Sequence, residues 1–393
     1  MTYPALGTAR HGNRPARPWH PLPAREYQAG AGKSSAFISA TLLGMSQIDM
    51  PRDQLESYFG CSPRPEDFDE YWAKALEALD RHEQESGYSA AYTRAEIPIS
   101  SADCYELYFT SVGGARIHAR LAIPRSADRR PVPALLKFHG YTMNAGAWSR
   151  LLPYAAEGFA VAAMDVRGQG GESTDPGISA PATSMTVDDT SPQRRGGMAG
   201  PTVRGHIIRG VESGPGALFY RSVYLDTVAL ARVVASLDEV NEGQLGTFGA
   251  SQGGALALAC AALEPRVRHT VSIYPFLCDF RRSHEMETGG SAYEEIRHYF
   301  KRRDPRHEFV DAFFHTLGYI DVQYLAERIR GTVRMLTGLQ DEACLPSTQF
   351  AAYNRMACEK EVIVYPDFGH DDLPDADDLT LTYFNERFGD GRI

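Results

Sequence analysis

The chain has 393 residues, 43% of them hydrophobic and 23% charged, which suits a soluble globular protein with one large or two ordinary domains and a sizeable core. A formal net charge of −10 argues against nucleic acid or an anionic membrane as the main partner. No stretch approaches about 18 continuous apolar residues, so no membrane-crossing helix is expected.

Residues 1–44 are rich in Pro, Gly, Ala and Ser and carry Arg10, Arg14, Arg17, Arg25 and Lys33 against Glu26 alone. The only apolar piece, AFISATLLGM, is short and lacks a small-residue cleavage site after it, so the segment reads as a disordered basic leader. Ordered patterning begins directly after Met45, which stands as an alternative working start, and residues 45–393 read as one domain. From Pro65, PEDFDEYWAKALEALDRH places Phe68, Trp72, Leu76 and Leu79 at helical spacing, with acidic residues early. YTRAEIPIS and CYELYFTSVGGARIHARLAIPR then predict antiparallel strands around a Gly113-Gly114 turn.

After Pro133 the character changes. ALLKFHG, FAVAAMDVRG, QLGTFGAS, VRHTVSIYPF, VRMLTGLQD and KEVIVYPDF are continuous apolar runs, as in strands of a parallel sheet buried on both faces. Helical patterns (YRSVYLDTVALARVVASL, GGALALACAAL, STQFAAYNRM) lie between several of them, which predicts a doubly wound α/β sheet with its site at the carboxyl ends of the strands. Two stretches interrupt the alternation. A Gly/Pro/Ser/Thr-rich loop covers 172–216. A helical, aromatic-rich insertion covers 279–330 and suits either core packing or a lid. The six cysteines, Cys61, Cys104, Cys260, Cys278, Cys344 and Cys358, show no CxxC or zinc-type spacing and read as free thiols in a reducing cytoplasm.

Gly249-Ala250-Ser251-Gln252-Gly253 falls between the strand LGTFG and the helix GGALALACAAL, so Ser251 sits on a sharp strand-to-helix turn that presents its hydroxyl. A serine needs a base and an orienting acid, and in the α/β-hydrolase order the acid precedes the histidine. His370 lies in a loop after a late strand, in VIVYPDFGHDD, and Asp341 ends an intermediate strand in RMLTGLQDEAC. Asp367 competes for the acid role, but three residues before His370 it suits turn formation instead. The backbone N–H of Gln252 is one oxyanion donor, and Tyr141, in the loop ALLKFHGYTMNAGAW, offers the second. His139 in that loop reads as structural.

With these residues the chain resembles carbohydrate esterase family 7, the acetyl xylan esterase and cephalosporin C deacetylase group. The match runs from Met45 to the C-terminal helix through DMPRDQLESYFG, DFDEYW, FHGYTMNAGAW, RGQGG at 167–171 and GHIIRG at 205–210. It continues through GASQGGALALACAALEPRVR, DPRHE, LGYIDV, DEACLPSTQFAAYN and YPDFGHD. The resemblance implies an α/β-hydrolase fold, Ser251, Asp341 and His370 as the triad, and the Tyr141 and Gln252 amides as the oxyanion hole. It also implies deacetylation of small acetylated sugars, xylo-oligosaccharides and cephalosporin C, without metal or other cofactor. A cytoplasmic homohexamer built as a trimer of dimers is implied as well, with the 172–216 loop at its interfaces. Two positions depart from the family pattern. Asp371 stands where Glu is usual, and Leu345-Pro346 where Pro-Pro is. A general short-chain carboxylesterase, thioesterase or peptidase is the alternative, and a non-catalytic binding relative or a metal-dependent deacetylase using His370, Asp371 and Asp372 is disfavoured.

Overall fold

The computed structural model describes residues 48–128, 131–176, 205–286 and 292–389, so the basic leader and most of the 172–216 loop lie outside the described residues. Within them runs a nine-stranded sheet in the order β1-β2-β3-β5-β4-β6-β7-β8-β9. β1 (Ala91–Arg94), β2 (Ala102–Thr110) and β3 (Arg116–Pro124) are antiparallel, and β3 pairs antiparallel with β5 (Ala160–Met164). From there β4 (Val132–Phe138), β6 (Val240–Ala250), β7 (Val267–Ile273), β8 (Thr332–Gly338) and β9 (Lys360–Tyr365) all run parallel.

Burial accounts for the change of sequence texture at Pro133. All five residues of β5 and all but Lys137 of β4 are buried, so both faces must be apolar. β2 alternates between buried and half-buried positions, whereas all four residues of β1 face outward at the sheet edge. Because β4 lies between β5 and β6, the chain leaves it first to one side and then to the other. That reversal opens a crevice at the carboxyl ends of β4 and β6.

The helix Phe68–Ser86 buries Phe68, Trp72, Ala75 and Leu79, one stripe of its surface, and the Trp72 indole N–H donates to the Tyr319 carbonyl at 2.9 Å. Every residue of the helix Gln252–Leu263 is buried, since it lies between the sheet and the largely buried helix Phe219–Ala235. The insertion is helical as expected, with Phe280–Met286, Glu294–Arg303, Val310–Gly318 and Val322–Ala326. Its Tyr293, Phe300, Phe313, Phe314 and Tyr324 are buried, so most of its aromatics are core, while Phe309 is 66% exposed.

One ion pair crosses this core. Arg167 donates from Nε and Nη2 to the two oxygens of Asp226 at 2.7 and 2.6 Å, and both residues are buried. Removing one member leaves a buried charge unpaired, a loss of about 3–5 kcal/mol. Asp226→Ala is therefore expected to lower the unfolding free energy from urea titration by that amount, whereas an unchanged midpoint would mean that water reaches Arg167.

Two histidines make the fold acid-sensitive. Burial first, then Arg387 and Arg268, push His269 down to about 4, and burial lowers His139 as well. Below pH 6.5 the unfolded chain binds protons that these rings refuse, so stability present above 6.5 is lost as pH falls, for His269 until about 4. His269→Gln is expected to recover about 1–2 kcal/mol of that loss at pH 4.5, allowing for solvent screening of a half-buried ring. Urea titrations at pH 7 and 4.5 measure it, and equal acid loss in both proteins would contradict it.

Candidate active site

Ser251 follows β6 directly and precedes the helix Gln252–Leu263, with φ 58° and ψ −120°. Such a conformation costs a residue with a side chain about 1–3 kcal/mol, so its surroundings must impose it. They do so through the backbone: Ser251 N–H donates to Ile273 O at 2.9 Å, and its carbonyl accepts from Phe276 N at 3.1 Å. The flanking glycines follow from close approach. A Cβ on Gly249 would meet the Gly253 carbonyl carbon at 2.5 Å, and one on Gly253 would meet Phe138 O at 2.1 Å. Thr142, Tyr274, Leu277 and Asp279 also have positive φ in loops after β4 and β7, so backbone strain gathers at this end of the sheet.

Asp341 and His370 leave β8 and β9 at the same end. His370 Nδ1 lies 2.9 Å from Asp341 Oδ2, while Asp341 Oδ1 accepts the N–H groups of Ala343 and Cys344 at 2.9 and 2.7 Å. Asp341 is wholly buried, and the His370 side chain is 32% exposed. The Tyr274 ring packs on the imidazole with centroids 4.5 Å apart. Asp367 is exposed and its carboxylate takes no part in this pair. Gly369 N–H donates to Asp371 Oδ2, so Asp371 shapes the turn that carries His370.

Ser251 Oγ makes no hydrogen bond to His370; it lies 3.9 Å from Cys344 Sγ. Such contacts are commonly long without substrate and tighten when it binds. Nothing in the spacing of Cys344 marks it as a neighbour of Ser251. Burial pushes its thiol well above the usual range, so it stays protonated and is a poor nucleophile. Among the described residues, the group spaced to hold a metal ion is Asp341, Cys344 and His370, with ligand atoms within 4.8 Å of one another, not the run His370-Asp371-Asp372.

The loop after β4 faces Ser251 across the crevice. Thr142, at φ 61°, donates its N–H to Gln169 Oε1 at 2.9 Å. Gln169 and the buried Gln252 exchange hydrogen bonds at 2.8 and 3.0 Å, and Tyr220 Oη donates to Gln252 Oε1. His139 Nε2 accepts from Val166 N at 2.9 Å and its Nδ1 lies 2.7 Å from Gly140 O, the pattern of a neutral structural ring. Asp165 braces the far side, accepting from Ala145 N and Glu172 N. The ring nitrogens of His118 meet Asp165 and Glu106 at 2.6 Å each. Burial opposes charge on His118, but the two carboxylates outweigh it and raise its pKa.

A serine on a strained elbow, a buried carboxylate on a histidine and a braced facing loop are the parts that acyl transfer through a serine requires. The profile of the acetyl xylan esterase family matches residues 45–387. The chain belongs to the acetyl xylan esterase family. This family member is 45% identical to acetyl xylan esterase 1 from Thermoanaerobacterium sp. JW/SL YS485, with a TM-score of 0.76 over 86% of this chain and 99% of that one. An acetyl xylan esterase from Paenibacillus sp. R4 is 34% identical, with a TM-score of 0.75 and the same coverage. Acetyl esterase Axe7A of Xylanibacter ruminicola is 25% identical over 304 residues, 77% of this chain. The chain spans 62% of the length of that curated relative. The fold of this acetyl xylan esterase family member is the α/β-hydrolase fold, and the family's reaction class is carboxylic ester hydrolysis.

Both departures from the family pattern have a place here. Asp371 closes the turn that carries His370, and Leu345 is buried at the start of the helix Pro346–Arg355, where its carbonyl accepts from Gln349 N at 3.2 Å.

Proposed function

We propose that the protein is a serine esterase that removes acetyl groups from small acetylated carbohydrates, in particular xylo-oligosaccharides, through an acetyl-serine intermediate. The observation that carries the reading is the buried Asp341 bound to His370 Nδ1 beside the strained Ser251. With Nδ1 held by Asp341, His370 Nε2 takes the Ser251 proton as Oγ attacks the acetyl carbonyl, then returns it to the leaving sugar hydroxyl. Water, activated by the same nitrogen, releases acetate. The N–H groups of Tyr141 and Gln252 receive the oxyanion, each worth roughly 10²–10³ in rate.

Aromatic rings narrow the space by the serine. Tyr141 and Phe276 stand 5.7 Å apart between centroids, and Phe276 and Tyr293 4.4 Å. This favours acetyl over longer acyl groups and admits the acetoxymethyl of cephalosporin C as a second substrate. The reading extends to a cytoplasmic hexamer, a trimer of dimers, with no nucleic-acid or membrane partner and no cofactor. Cysteines without disulfides support the reducing compartment. No helix among the described residues is long and apolar enough to cross a membrane.

Initial rates on p-nitrophenyl acetate, butyrate and octanoate, with and without EDTA, test the chemistry. Acetate is expected to exceed octanoate by at least about 100-fold, since a closed pocket rejects added methylenes at about 1–3 kcal/mol each. EDTA is expected to change nothing. Comparable octanoate turnover would favour a general carboxylesterase, and EDTA inhibition would point to a metal-dependent reaction. Sedimentation of the full chain tests the hexamer.

A further inference from the structure

The oxyanion loop is tied to the helical insertion by one buried side chain. Glu295, in the first turn of the helix Glu294–Arg303, is 4% exposed. Its Oε1 accepts from the Tyr141 hydroxyl, and its Oε2 accepts from Ile207 N at 3.0 Å. The Tyr141 ring is further enclosed by Phe276 and by His206, whose rings lie 5.7 and 5.5 Å away, and His206 N–H donates to the Tyr141 oxygen at 3.4 Å. One carboxylate thus joins three segments that are distant in sequence: the loop after β4, the 205–210 stretch and the insertion.

Tyr141 precedes Thr142, whose left-handed backbone is held from the opposite side by Gln169. A short loop fixed at residue 142 still pivots about residue 141, and the direction of the Tyr141 N–H depends on that pivot. An oxyanion donor is effective only when already aimed, and a displacement of about 1 Å can cost about 100-fold in rate. A phenol donating to a buried carboxyl oxygen is a tether with no water to compete for it. We propose that Glu295 is a positioning residue for ester hydrolysis, holding Tyr141 by its phenol so that the Tyr141 N–H points at the forming oxyanion. The inference rests on the reading of Tyr141 N–H as a donor. Glu295 does not meet the reacting atoms, so its effect on the oxyanion runs through Tyr141, beside its separate bond to Ile207 N.

The test uses the full chain with Tyr141→Phe, Glu295→Gln and the double variant, assayed on p-nitrophenyl acetate and for inhibition by methylboronic acid, which forms a charged tetrahedral adduct with a serine. Each single variant is expected to lower kcat about 10- to 100-fold, with KM changed by less than about twofold. Boronate affinity should fall in parallel, and the double variant should be no slower than the slower single one. Unchanged kcat and boronate affinity, or single effects that multiply, would overturn the proposal. Tyr141→Phe removes one oxygen and leaves Ile207 bound to Glu295, so it carries the test if Glu295→Gln folds poorly. Gln169→Ala, which frees Thr142 N–H, separates the two layers. If it weakens boronate binding while Tyr141→Phe does not, the loop is the oxyanion site and the Glu295 tether is wrong. If neither variant weakens it, the donor reading itself has failed.

Discussion

Ser251→Ala is expected to lower kcat on p-nitrophenyl acetate by about 10⁴–10⁶-fold with the fold intact. The size of the loss follows from what remains. The Asp341–His370 pair survives the substitution, as do the two amides proposed to receive the oxyanion, but on the proposed mechanism the hydroxyl that forms the acyl bond is gone. The neighbouring Cys344 thiol does not replace it, because burial keeps it protonated. A second substitution at the same position separates chemistry from strain. Ser251→Gly relieves the φ 58° conformation, so it should be as inactive as alanine yet more stable than the parent by about 1 kcal/mol. Activity within about 100-fold of the parent in Ser251→Ala would mean that the glycine-flanked serine is a turn and not the nucleophile.

The second large effect is expected at Asp341. Its Oδ1 accepts from two backbone N–H groups, and its Oδ2 faces His370 Nδ1. Asparagine keeps the shape, but only one orientation suits the loop: the amide oxygen toward Ala343 and Cys344, the NH₂ toward His370. A donor facing Nδ1 forces the ring proton to Nε2, so the ring presents an N–H to Ser251 and cannot accept its proton. Asp341→Asn should therefore lower kcat about 10⁴-fold with little change in KM or melting temperature. A loss of only about tenfold would assign the orienting role elsewhere, and Asp367→Asn, expected to be silent, is the matched control.

How much of this was legible in the sequence depended on how local its cause was. Ser251 could be read because an elbow needs a strand, small flanking residues and a helix in direct succession. Asp341 and His370 could be read because parallel strands deliver their ends to one side of a sheet. The tether from Glu295 to Tyr141 spans 154 residues and the Gln169–Gln252 pair 83, and neither leaves a periodic trace. Glu295 reads as an ordinary acidic residue at a helix start, and only its burial marks it. Cys344 was visible as a cysteine after the acid, but its distance to Ser251 depends on how the loops after β6 and β8 turn toward each other. The insertion's aromatics left packing and lid equally open because residue type cannot give direction. Burial assigns most of them to the core.

The strain at Ser251 also sets a timetable. Its φ is imposed by Ile273 and Phe276, which belong to the next strand and its loop, and its partners come from strands later still. A chain emerging from the ribosome holds the serine long before it holds anything that bends or deprotonates it. Contacts of such long sequence separation are the slow part of folding. On the proposed mechanism Ser251 is therefore chemically silent throughout synthesis, and reactivity arrives in one late step together with the finished sheet. Recovery of esterase activity after denaturation should accordingly trail recovery of helix.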